Sequence, residues 1–153
     1  MSLGLRAWMH PDDLVLFQLD QLPWPAYSLL VERYFVALDY RVKPISSEPG
    51  RTAFLLVSST GVRHLLHCCS VQAAGNLGEL GKLRGNMSRF RIQEGILASP
   101  TEFALGWAEA ARSASVDLYS GNRLRAKIER LPAEKRRAVR DSIRPKPKRV
   151  EAL

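Results

Sequence analysis

Thr52-Ala53-Phe54-Leu55-Leu56-Val57 and Val62-Arg63-His64-Leu65-Leu66-His67-Cys68-Cys69 stand four residues apart, joined by Ser58-Ser59-Thr60-Gly61. Both stretches are strand-like in composition, and the polar joint ending in Gly61 has hairpin-turn chemistry. The pair predicts an antiparallel β-hairpin. Side chains alternate along a strand, so His67 and Cys69 are expected on one face of the second strand and His64 and Cys68 on the other.

Before the hairpin, Tyr27, Leu30, Val31, Tyr34, Phe35 and Leu38 recur at helical spacing and predict an amphipathic helix from Ala26 to Leu38. Tyr40-Arg41-Val42-Lys43 then begins a short strand, ended by Pro44 and a loop through Glu48-Pro49-Gly50. Further upstream, residues 11–22 form a shorter predicted helix, with Pro11 in its first turn and Asp12 and Asp13 near its positive end. Pro23 and Pro25 stop it.

After the hairpin, Gln72 to Ser88 predicts a helix despite Gly78, Gly81 and Gly85. Arg91 to Ala98 predicts a strand, Thr101 caps a helix from Glu102 to Ala114, and Ser115 to Tyr119 forms the last strand. Ser120-Gly121-Asn122 turns the chain into a final helix starting at Arg123. Antiparallel strands followed by strands separated by helices imply an α/β fold, a mixed sheet flanked by helices. The expected organisation is an N-terminal helical extension (1–25), one domain (26–140) and a basic disordered tail (141–153), where alternating Pro and charge cannot continue a helix.

The chain has 153 residues, 46% hydrophobic and 25% charged, which suits one globular domain and argues against wholesale disorder. No apolar run approaches the roughly 18 residues of a membrane span. Met1 to Trp8 carries no export signal, and the only cysteines, Cys68 and Cys69, are adjacent and form no disulfide framework. A cytoplasmic location is expected. The net charge of +8 is uneven: residues 1–122 balance to zero, and the whole excess follows Asn122.

In this order the chain resembles the Mrr-type restriction endonucleases of the PD-(D/E)xK nuclease superfamily. The likeness rests on Leu22-Pro23-Trp24 through Tyr40-Arg41-Val42, on Leu65-Leu66-His67-Cys68-Cys69, on Gly95-Ile96-Leu97-Ala98-Ser99 followed by Phe103, and on Val116-Asp117-Leu118-Tyr119-Ser120-Gly121-Asn122-Arg123-Leu124. It implies a restriction-endonuclease-like three-layer fold. In that family, an Asp and a Glu or Gln on adjacent strands hold Mg²⁺, a Lys two residues further on positions the nucleophile, and a helix Glu often assists. Carried over position by position, the helix Glu falls on Ser28, the Asp on or beside Ala53, the Gln or Glu on His67 and the Lys on Cys69. No Asp or Glu lies between Arg51 and Gly78. The resemblance therefore implies a degenerate site, no catalytic or metal-binding residue and no cofactor. Mg²⁺ enters only under an alternative in which Glu32 or Glu48 relocates the site.

His64, His67, Cys68 and Cys69 offer two soft ligands per strand face, which does not close a structural zinc site. Residues i and i+2 on a strand lie about 7 Å apart, so His67 and Cys69 make a poor nucleophile–base pair. Trp8, Trp24 and Trp107 are expected in the core. Gly75, Gly78, Gly81 and Gly85 lack the phosphate-loop pattern and are expected to permit close helix–sheet packing, with Lys82, Arg84, Arg89 and Arg91 adding charge nearby. The basic run of Arg123, Arg125, Lys127, Arg130, Lys135, Arg136, Arg137 and Arg140 would hold phosphate by counterion release. The expected function is DNA binding through Lys82, Arg84 and all of that run except Arg130, without catalysis. The alternatives are an active nuclease with a relocated site, or a protein-interaction subunit of a defence or mobile-element system. No membrane is expected as partner, and homodimerisation is suggested only by the habit of the family.

Overall fold

The structure, a computed structural model, describes residues 19–144. Its sheet has five strands in sequential order: β1 (Arg41–Glu48), β2 (Arg51–Val57), β3 (Arg63–Cys69), β4 (Gly95–Ala98) and β5 (Val116–Tyr119). The first three run antiparallel, and β3, β4 and β5 run parallel. Parallel neighbours need a crossover. Here α2 (Gly78–Phe90) joins β3 to β4 and α3 (Trp107–Ser113) joins β4 to β5. The opposite layer holds α1 (Trp24–Ala37), α4 (Gly121–Glu129) and α5 (Ala133–Ser142), and short 3₁₀ turns lie at Leu19–Gln21 and Ala73–Gly75.

The strand pleat divides the core in two. Phe54, Leu56, Leu66 and Cys68 point toward α1, where they meet Leu30, Phe35, Leu124, Ile128 and Val139. Leu65, Cys69 and Leu97 point toward α2 and α3, where they meet Leu83, Met87 and Trp107. The predicted α/β class and three layers are present. Trp107 is buried and Trp24 half-buried, whereas Trp8 and the predicted 11–22 helix up to Gln18 lie outside the described residues. So do residues 145–153.

Several predicted boundaries shift for identifiable reasons. β1 does not stop at Pro44. It is an edge strand with a register shift between Pro44 and Ser46, and such a strand tolerates a missing N–H. The strand expected from Arg91 starts at Gly95. Arg91 takes the left-handed conformation (φ 55°) and closes α2, with Ile92 N–H donating to the Met87 carbonyl and Arg91 N–H to that of Ser88. Thr101 caps no helix, because Gly106 (φ 92°) interrupts the chain and α3 begins only at Trp107. The last predicted helix is two: Ser120 caps α4 by accepting from Arg123 N–H, and Pro132 starts α5. The helix expected from Gln72 starts at Gly78, after the turn at Ala73–Gly75.

Candidate nucleic-acid interface

The hairpin register sets the geometry of the site. Ala53 lies directly opposite His67, and Arg51 opposite Cys69. Alternation turns all four toward α2, so they form the corners of one patch on that face. Three corners are positions inferred from the family resemblance; the fourth, Arg51, is not. Ser28 does not join them. It lies on α1 across the sheet, where its Oγ pairs with Thr52 Oγ1 at 2.8 Å.

α2 supplies the partners. Arg51 donates from Nε to Glu79 Oε2 at 2.8 Å and from Nη2 to Oε1 at 3.3 Å, a two-pronged guanidinium–carboxylate pair. Its Nη1 donates to Glu48 at the end of β1, and Lys82 Nζ donates to Glu79 Oε1 at 3.4 Å. Burial pushes the Glu79 carboxyl up in pKa, but Arg51 and Lys82 outweigh it and leave it below its ordinary value. Asn86 Nδ2 lies 3.0 Å from His67 Nε2. An amide nitrogen only donates, so this pair places the ring proton on Nδ1. Burial, with the Arg51 charge, lowers the His67 pKa to about 4, and Glu79 opposes the shift only weakly. His67 is therefore a neutral imidazole near neutral pH.

An open cleft of about 770 Å³ lies along this face, lined among others by Ile45, Arg51, His67, Lys82, Asn86 and Arg89. Ala53 and Cys69 do not line it and are sealed in the interior. Burial pushes the Cys69 thiol up to about 12 and raises Cys68 further still. Neither is a ready thiolate nucleophile or metal ligand.

This donor set does not suit the Mg²⁺ that the fold family implies. A hard cation needs several oxygen ligands, and the three family positions offer a methyl group, an imidazole and a protonated thiol. The nearby carboxylates, Glu48 and Glu79, are both held by the Arg51 guanidinium. Among the described residues no group of three or more His, Cys, Asp and Glu converges as a metal site.

The cations expected to bind nucleic acid fall on two sides of the molecule. Lys82 and Arg84 are exposed on α2. The others lie on α4 and α5, in the opposite layer, and several are engaged within the protein. Arg123 forks onto Asp117 and lies 4.8 Å from the Tyr119 ring centre, with Lys127 at 5.2 Å. Lys135 pairs with Asp39 at 3.4 Å, and Arg140 with Glu129 at 2.8 Å. Arg136 donates to the Glu129 carbonyl at the end of α4. Arg125 lines a shallow pocket beside Asp20 and Glu102, and Arg137 is exposed. Much of the C-terminal charge therefore fastens α4 and α5 to the domain. Arg51, Glu79 and Asn86 were not singled out by the sequence. Two clues stood there: Arg51 is two residues from Ala53, hence on its face, and Glu79 is the first acid after Glu48.

A sheet with an antiparallel hairpin, parallel strands beyond it and helices on both sides has a counterpart among solved structures. The chain is similar to the DNA modification-dependent restriction endonuclease AspBHI, with a TM-score of 0.51 at 14% sequence identity. The fold is restriction-endonuclease-like. The match covers 88% of this chain but 40% of AspBHI, so this chain corresponds to less than half of that endonuclease. No family profile and no curated protein matches the chain. In this restriction-endonuclease-like domain, no helix among the described residues is long and apolar enough to cross a membrane.

Proposed function

We propose that this protein binds DNA through a restriction-endonuclease-like domain of Mrr type whose PD-(D/E)xK site is degenerate, and that it does not cleave by the metal-dependent mechanism of that superfamily. The observation that carries this reading is the four-cornered patch. Its geometry brings Ala53, His67 and Cys69 to one place, and none of the three supplies an oxygen ligand or a lysine. The local carboxylates are committed to Arg51. Net positive charge and exposed cations on both outer layers support electrostatic, sequence-independent holding of phosphate. The solved neighbour, named as a DNA endonuclease, supports the choice of DNA as partner.

Fluorescence anisotropy with a labelled mixed-sequence duplex tests this. Binding is expected at low salt, unchanged on replacing Mg²⁺ by EDTA and falling steeply as salt rises. Absence of binding at low salt, or affinity that needs a divalent cation, would refute it.

A further inference from the structure

Gly81 and Gly85 are expected from the sequence to let α2 pack closely on the sheet. The structure puts them on the other side of the helix. The buried residues of α2 are Glu79, Leu80, Leu83 and Met87, and at 100° per residue Gly78, Gly81 and Gly85 fall on the opposite crest. A Cβ added at Gly81 or Gly85 would meet nothing within 4 Å. Among the described residues no contact requires either glycine, yet glycine weakens a helix interior relative to alanine.

The surroundings of this bare crest are cationic and open to the cleft. Lys82 and Arg89 flank it on the cleft side, and Arg84 with Ser88 on the other. His67 in the wall of the same cleft is 1% exposed, and its enclosed Nδ1 has no hydrogen-bond partner among the described residues. A second copy of the chain is a poor occupant, because crest-to-crest docking would set Lys82, Arg84 and Arg89 against the same three cations. A polyanion has the matching charge, and the missing side chains leave room for its backbone to approach the helix.

We propose that the crest of α2 seats a nucleic-acid strand, its phosphodiester backbone lying against Gly81 and Gly85 between Lys82 and Arg89 on one flank and Arg84 on the other. This rests on the DNA-binding reading above and assigns it to a surface other than the C-terminal basic run. The ligand chemistry is the phosphodiester backbone, shared by duplex and single strand.

The test uses the full chain, a fluorescein-labelled duplex and the same sequence as a single strand, with labelled polyglutamate as a protein-like polyanion. Gly81→Leu with Gly85→Leu is expected to weaken binding to one or both DNA probes by about tenfold or more. The probe that loses more affinity is the form seated on the crest. Gly81→Ala with Gly85→Ala is expected to raise Tm by a few degrees while still lowering affinity, about threefold. This opposition of stability and binding is not what a purely structural glycine gives, and the alanine pair serves where the leucine pair disturbs folding. Lys82→Ala and Arg89→Ala should each reduce the salt dependence by about one counterion unit. Undiminished DNA affinity in both glycine pairs would overturn the α2 site and leave the DNA-binding reading standing. No binding of either DNA by the unsubstituted chain would overturn both. Polyglutamate bound as tightly as DNA, and lost with the same substitutions, would assign the crest to an acidic protein segment instead.

Discussion

His67 is a buried histidine kept neutral by its surroundings. It stands where the resemblance implies a metal ligand, but burial and Arg51 hold its pKa near 4 against an ordinary 6.5. The unfolded chain therefore binds the extra proton first, and stability falls as pH is lowered from about 6.5 toward 4, by about 3 kcal/mol in all. Glu79 acts in a lower window. Its folded pKa lies below the ordinary 4.5, so its contribution is present above that value and is lost only as pH falls through the folded one. Urea unfolding between pH 6.5 and 4.5, flattened by His67→Gln, isolates the histidine. An unchanged pH slope in that variant would refute the assignment. Tyr27 offers a second check at this scale, since its buried hydroxyl has no partner among the described residues. Removing such a group stabilises, and Tyr27→Phe is expected to gain about 1 kcal/mol in denaturant titration. The two cysteine thiols, both raised in pKa by burial, should react with Ellman's reagent only as fast as the protein opens.

The hairpin and α2 are tied together by Arg51 and Glu79 across 28 residues of sequence. Arg51→Ala leaves a nearly buried carboxylate without its main partner and should cost about 3 kcal/mol in urea unfolding. Glu48→Ala, at an exposed end of the same cluster, should cost under about 1 kcal/mol. A larger loss for Glu48→Ala than for Arg51→Ala would contradict this account of the cluster. Strands, helices and their order were legible because alternation and helical spacing are local. The facing of His67 and Cys69 followed from the same rule. Element ends were less legible: a left-handed Arg91, a bulge beside Pro44 and the break at Gly106 are conformations that composition does not announce. The Arg51–Glu79 pair is long-range, so no window along the chain contains it. The glycines of α2 were visible, but which way they face depends on how the helix sits on the sheet.

Across the whole molecule, part of the charge concentrated after Asn122 is engaged within the fold. Arg123, Lys135 and Arg140 pair with Asp117, Asp39 and Glu129 and help hold the outer helices in place. The surface proposed to face phosphate includes α2, on the other side of the sheet, where the first 122 residues sum to zero but are not uniform. The central claim is a restriction-endonuclease-like domain that holds DNA and lacks the metal chemistry of the PD-(D/E)xK superfamily. The most direct test is one gel of supercoiled plasmid incubated with the protein at low salt in Mg²⁺ or Mn²⁺, run before and after protease digestion. The account predicts retarded plasmid before digestion and intact supercoiled plasmid after it. Unretarded plasmid, or sustained conversion to nicked or linear forms that depends on the divalent cation, would contradict it.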